Sequence, residues 1–319
     1  MKQAVIDIGT NTCLLLIAES DHVGEIKVIR DVHNIARLGA GVDRTKLIQA
    51  ESYERLKNIL LGCQKILDEN NVEVTAVIAT SAMRDAENKE EIARKIKSDC
   101  GFDVEILSGE DESIWSFRGA VCGLQSNELR GTVATLDIGG GSTELSIGEN
   151  GIYLYGRSIN IGAVRIKERF LSPSSDESSI KSARDFIQTA LRNTFANIKT
   201  HRLIAVAGTP TALAAMKLKL LTFDAKKVNG TILTSEDVKI MTEEILSLSA
   251  EQLIRKYPAV HPSRADILPA GALILEEILW YLNLKEVRVS TYGLRYGIMI
   301  REFERMMGAK SGEWLITSE

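Results

Sequence analysis

The chain has 319 residues, 45% of them hydrophobic and 26% charged, the profile of a globular protein of about two domains. Its formal net charge of −4 weighs against coating nucleic acid, which calls for a strong basic excess, but leaves room for a small polyanion in a locally positive cleft. There is no run of roughly 18 apolar residues, and the start MKQAVIDIGTNT lacks the parts of a signal peptide, so a cytoplasmic protein without a membrane partner is expected.

The first elements read as two short buried strands, Val5, Ile6 and Ile8, then Leu14 to Ala18, joined by a turn at Gly9, Thr10, Asn11 and Thr12. A helix follows from Glu51 to Asn70, with Leu56, Ile59, Leu60, Cys63, Ile66 and Leu67 at helical spacing. The apolar run Val74 to Ala79 then leads through ATSAMRDA into another helix, and VEILSGEDESIWSFRGAV reads as a strand ending in an acidic helix start. Val133 to Ile138 and Leu145 to Ile147 flank Gly139, Gly140, Gly141, Ser142 and Thr143, repeating the first hairpin with Asp137 in the place of Asp7. Ser172 to Ser179 is a Ser-rich surface turn that ends as a helix start, followed by a helix from Ile180 to Ile198. Leu203 to Ala207 then runs into AGTPTALA, and a last periodic stretch covers Ser235 to Leu248.

Asp7 and Asp137 are 130 positions apart, and Ala79 and Ala207 are 128 apart. Two motif pairs at nearly one offset indicate an internal duplication, each half an α/β domain. The duplication would set the two turns face to face across a cleft between the halves.

Gly-rich turns bind phosphate because backbone N–H groups converge in them and glycine lets the backbone approach closely. DIGGGSTE supplies such a cradle and DIGTNT a second, with hydroxyls in place of two glycines, so successive phosphates can be gripped. Asp7 and Asp137, each at the mouth of a turn, suit Mg²⁺ or another divalent cation, and Glu144 can join them. Cys13, Cys63, Cys100 and Cys122, like His22, His33, His201 and His261, are scattered, which leaves oxygen ligands for any metal and reduced, buried thiols. Hydrolysis of a phosphoanhydride also needs a group that orients or deprotonates water. Glu110, Asp111 and Glu112 offer carboxylates, and Arg84 offers a planar cation for phosphate. Gly208 and Thr209 stand where a strand gives way to a helix and offer terminal amides to a ligand.

The ordered set AVIDIGTNTCLLLIA, VIATSAMRDA, VEILSGEDES, LDIGGGSTELSIG, VAGTPTALA, RADILPAGALILEEIL and STYGLRYGI resembles the exopolyphosphatase / guanosine pentaphosphate phosphohydrolase family of the actin-like superfold. The resemblance implies two actin-like (ribonuclease H-like) domains, residues 1–123 and 124–296, with a C-terminal helix near 297–310 packing back on the first. It implies that Glu112 is the base toward water, although Asp111 and Ser113 depart from the family pattern SG-x-E-E-A. It also implies that Asp137, with Asp7 and Glu144, belongs to the metal or phosphate site and that Arg84 faces substrate. The substrate would be inorganic polyphosphate, or in the alternative guanosine pentaphosphate, in a short two-domain form whose relatives are commonly homodimers. Arg165, Lys167, Arg169 and Arg264 are candidates to line a path for a long polyanion. Two other readings on the same superfold are a nucleotide-binding assembly module, against which SGEDES argues, and a sugar or acetate kinase, which needs an acceptor pocket.

Overall fold

The computed structural model describes residues 1–21, 24–124, 128–172, 176–195, 198, 200–308 and 314–318. His22, Pro173 to Ser175 of the Ser-rich turn, and the end of the expected C-terminal helix at Ala309 and Lys310 lie outside them. The chain forms two compact units, one of residues 1–128 and 292–319, the other of residues 129–291. The boundaries expected from sequence, 123/124 and 296/297, lie five residues from these.

The first unit contains β1 (Lys2–Ile8), β2 (Thr12–Glu19), β3 (Glu25–Ile35), α1 (Val42–Thr45), α2 (Ala50–Glu69), β4 (Val74–Ala79), α3 (Ser81–Asp85), α4 (Lys89–Cys100), β5 (Glu105–Ile106) and α5 (Gly109–Val121). The second contains β6 (Thr132–Ile138), β7 (Thr143–Glu149), β8 (Ile152–Ile159), α6 (Ala163–Phe170), α7 (Glu177–Thr194), β9 (Leu203–Val206), α8 (Gly208–Lys217), α9 (Ala225–Val228), β10 (Ile232–Thr234), α10 (Ser235–Leu246), α11 (Ala250–Lys256), α12 (Leu268–Tyr281) and β11 (Glu286–Val289). The chain then returns to the first unit with α13 (Leu294–Met307) and β12 (Leu315–Ser318).

Each unit is built on one mixed sheet, ordered β12-β3-β2-β1-β4-β5 in the first and β10-β11-β9-β6-β7-β8 in the second. In both, three antiparallel strands lead into parallel ones, so β1, β2, β3, β4 and β5 correspond to β6, β7, β8, β9 and β11. This is the actin-like duplication. Departures from the helices read in the sequence are small: α7 stops at Thr194, short of Ile198, and Asp176 caps it by accepting from the Ser179 amide. Among the described residues, no helix is long and apolar enough to cross a membrane.

Strands covered on both faces read as continuous apolar runs, and period-2 alternation decides which core each residue joins. Ala4, Ile6 and Ile8 of β1 pack with Leu56, Leu60 and Ile96 of α2 and α4. Val5, with Leu16 of β2, packs instead with Ile298, Met299 and Phe303 of α13. Asp7 therefore shares the face that α13 covers.

The start of α13 is fixed to that face by Arg295, a buried guanidinium that donates from Nε and Nη2 to the two carboxylate oxygens of Asp31, at 3.0 and 2.8 Å. Tyr296 adds its hydroxyl to Asp31 at 2.9 Å. Burial alone would raise the Asp31 carboxyl, but the Arg295 charge and the hydrogen bonds from His33 and Arg295 hold it well below the usual carboxylate range.

Helices α5 and α13 pack with little between their backbones. A Cβ on Gly297 would fall inside the carbonyl of Trp115, and one on Gly119 inside that of Gly293. The contacts are backbone and cannot swing away. Gly297→Ala should therefore force the helices apart and destabilise the first unit by about 2 kcal/mol or more. The check is the thermal unfolding midpoint; an unchanged midpoint would mean that the helices part freely.

Candidate active site

In open α/β sheets, ligands bind beyond the carboxyl ends of the parallel strands. In the first unit β1, β4 and β5 are neighbours, and their ends are joined past the ladder by Thr80 N–H to the Ile8 carbonyl at 3.2 Å and Leu107 N–H to the Ala79 carbonyl at 2.9 Å. Three segments of the sequence thus emerge side by side: Asp7 with the Gly9 to Thr12 turn, Ser81 with Arg84 on α3, and Ser108 with Glu112 on α5.

The three acidic residues of α5 differ sharply in placement. Ser108 caps the helix by accepting from the Asp111 amide at 3.0 Å and donates its hydroxyl to the Asp111 carboxylate at 2.6 Å, so Asp111 is committed to the cap and exposed. Glu110 is also exposed. Glu112 is 6% exposed, and Arg84 donates from Nη1 to its Oε2 at 2.7 Å and to the Leu107 carbonyl at 3.1 Å. Arg84, expected from sequence to face phosphate, is therefore bound to the candidate base as well.

The turn between β1 and β2 closes with Gly9 N–H to the Thr12 carbonyl at 2.8 Å. Its other carbonyls point to the segment after β3: Thr10 accepts from Gly39 at 2.8 Å, and Asn11 accepts from Ala36 and Arg37 at 3.0 and 2.9 Å. Among the described residues, the Thr10 hydroxyl and the Asn11 side-chain nitrogen are buried without a hydrogen-bond partner, as is the Ser81 hydroxyl. Buried donors in that condition call for a partner from outside the chain, a water or a ligand.

The second unit repeats the device with different parts. Gly139 N–H closes the turn on the Ser142 carbonyl at 3.0 Å, and the carbonyls of Gly139 and Gly140 accept from Ala163 and Val164 at 2.9 Å, at the start of α6. Arg165 donates Nε to the Gly141 carbonyl at 2.8 Å. With its carbonyls drawn to one side, a turn of this kind can present N–H groups on the other, the arrangement of an anion-binding nest. Glycine at 139 favours close approach, since a Cβ there would lie a tight 3.0 Å from the Ser142 carbonyl oxygen, and the backbone there is not left-handed.

Asp137 stands directly opposite Glu144 in the β6/β7 ladder, so both carboxylates are on one face of the sheet. Glu144 is buried and accepts from the Ser158 hydroxyl at 2.6 Å. The equivalent partner of Asp7 is Leu14, which leaves the first unit a single carboxylate at this position. Among the described residues, no three His, Cys, Asp or Glu side chains group to hold a metal. A carboxylate pair nevertheless fits Mg²⁺, which is usually held by one or two carboxylates and completes its shell with water and substrate phosphate.

Several sequence expectations change here. Thr143, counted with the phosphate cradle, is fully buried and donates its hydroxyl to the Ile161 carbonyl at 2.6 Å, tying the hairpin down. The four residues read as a polyanion path have other partners: Arg165 is buried on the Gly141 carbonyl, Lys167 pairs with Asp266 at 2.6 Å, Arg169 lies over the Phe186 ring, and the Arg264 guanidinium packs against Gly208. Ala207, at the end of β9, has φ 74° and ψ −169°, a region almost confined to glycine and held at a cost of about 1–3 kcal/mol. Cys13, first after its turn, has its thiol pushed well up by a hydrogen bond to Cys63 and by burial, which keeps it protonated and a core residue. Ser81 and Ser158 escaped the sequence reading because an isolated serine carries no pattern.

The same chain order and folds occur in known proteins. A bifunctional 3-dehydroquinate synthase/phosphatase of Fusobacterium nucleatum is 33% identical over 301 residues, covering 90% of this chain and 44% of that protein's length. Exopolyphosphatase 2 of Mycobacterium tuberculosis is 30% identical over 317 residues, covering 94% of this chain and 98% of its own. A crystal structure of the Aquifex aeolicus member of the Ppx/GppA family superposes with a TM-score of 0.80 at 28% identity, over 96% of this chain and 98% of that one. The profile of the Ppx/GppA phosphatase family matches residues 16–306, and the chain belongs to that family.

Proposed function

We propose that the chain is an exopolyphosphatase, releasing terminal phosphate from inorganic polyphosphate. The observation that carries this reading is the buried Glu112 carboxylate, held by Arg84 at the strand ends beside a turn with buried, unpartnered donors. The near full-length likeness to a protein named exopolyphosphatase 2 supports polyphosphate as the substrate.

Water attacks the terminal phosphorus, the bond to the bridging oxygen breaks, and orthophosphate and a chain one phosphate shorter are the products. Glu112 orients the water and accepts its proton at Oε1 or Oε2. Arg84 fixes the carboxylate and places a cation beside the attacked group. The N–H and O–H groups of Gly9, Thr10, Asn11 and Thr12 are donors suited to phosphoryl oxygens, and the turn of Gly139, Gly140, Gly141 and Ser142 carries donors of the same kind. Asp137 and Glu144 would hold a divalent ion, Mg²⁺ in this reading, and Asp7 stands at the equivalent position of the first unit's own turn. When bound, such an ion would neutralise phosphoryl charge.

The test is phosphate release from long-chain polyphosphate and from guanosine pentaphosphate, side by side at equal concentration with Mg²⁺. Polyphosphate should have the higher kcat/KM. A value about tenfold higher for the nucleotide, equivalent to about 1.4 kcal/mol, would reverse the substrate assignment. Release from neither would return the chain to a binding module.

A further inference from the structure

We infer that the Ser81 hydroxyl is a ligand, together with Thr10 and Asn11, of the phosphoryl group being removed; this rests on the phosphoanhydride reading above. Ser81 is 2% exposed, Thr10 and Asn11 7% each, and among the described residues the Ser81 and Thr10 hydroxyls and the Asn11 Nδ2 are buried without a hydrogen-bond partner. All three atoms donate hydrogen bonds. A folded chain rarely buries a donor without a use, because the desolvation cost is not recovered, and a group of donors without acceptors is matched by an oxyanion.

The three residues come from segments that the fold holds together. The amide before Ser81, that of Thr80, donates to the Ile8 carbonyl at the mouth of the turn. The methyl of Thr10 and the Cβ of Ala82 both press on Gly39, where an added Cβ would overlap the first and lie 3.2 Å from the second. The tip of the turn and the start of α3 are therefore neighbours.

Position along the sheet says which phosphoryl group is involved. β4, which delivers Ser81, runs between β1, which delivers the turn, and β5, which leads to Glu112. Three residues on, Arg84 donates to Glu112 from the same short helix. A group held by Ser81 is thus beside the base, which identifies it as the terminal phosphoryl and not one farther along the chain.

This makes an unusual pair of demands on Ser81→Ala. Removing a hydroxyl that has no partner in the free protein should leave the ligand-free unfolding midpoint unchanged or raise it, whereas a structural serine would lower it. At the same time calorimetric titration with inorganic orthophosphate in Mg²⁺ should give a Kd about tenfold or more above wild type, as expected for a hydrogen bond to a charged group. The factor should be the same for tripolyphosphate and for long-chain polyphosphate. Ser81→Cys, nearly the same size with a weak donor, should bind between the two. An unchanged Kd in a folded Ser81→Ala, a midpoint that falls while binding holds, or a loss that grows with chain length would each overturn the assignment. If wild type itself neither binds orthophosphate nor releases it from polyphosphate, the parent reading falls. If it does both and the variant matches it, only Ser81 is removed.

Discussion

Glu112→Gln lowers kcat by about 10²-fold or more while leaving substrate binding within a few-fold, because the amide keeps the shape of the side chain but cannot take a proton from water. The geometry sharpens the expectation. The amide oxygen still accepts from Arg84, so the side chain stays in place, but the 2.7 Å ion pair becomes a hydrogen bond from a charged guanidinium to a neutral amide. Some stability should be lost with it, since one member of a mostly buried charge pair is left without its counter-charge. Controls come from the same helix turn: Glu110→Gln and Asp111→Asn change exposed carboxylates, and both should turn over nearly as wild type. Steady-state phosphate release gives kcat, and calorimetry gives binding. Near-normal turnover in Glu112→Gln would take the base role from this residue.

That assignment shows where reading the sequence stops. SGEDES announces a capped helix with three acids in its first turn, and Ser108 followed three residues later by Asp111 is a capping pattern that removes Asp111 from chemistry. Helical periodicity also puts Asp111 opposite the stripe formed by Ser113, Phe117 and Ala120. It does not separate Glu110 from Glu112, which fall on the two margins of that stripe. Which margin meets Arg84 is decided by the order β1-β4-β5, a tertiary fact. The duplicated Asp and Gly-rich turn, by contrast, was legible, because it is local and repeats. The backbone donors that draw the turn carbonyls aside were not: Ala36 to Gly39 and Ala163 to Arg165 act through main-chain groups that every residue has. The same limit applies to Arg165, whose charge suggested substrate and whose Nε serves the turn instead.

The pair Asp137 and Glu144 yields the second large effect, and its value as a test lies in two measurements of opposite sign. Carboxylates directly opposite on neighbouring strands repel, and that repulsion is relieved when a divalent ion lies between them or when one is neutralised. Asp137→Asn should therefore raise the unfolding midpoint of the metal-free protein, because the like-charge term is gone. The same variant, and Asp137→Ala more strongly, should raise the Mg²⁺ concentration for half-maximal phosphate release by well over tenfold. Ser158→Ala supplies the scale: it removes the 2.6 Å hydrogen bond that orients Glu144, and outer partners of this kind are typically worth about 10–100-fold in metal affinity or activity. Loss of a directly held carboxylate should exceed it. If Asp137 were only a turn residue, its replacement would lower the midpoint and leave the Mg²⁺ titration where it was. An unchanged titration would remove Asp137 from the metal site whatever the stability did, and would make Glu144 the next carboxylate to be tried, by Glu144→Gln.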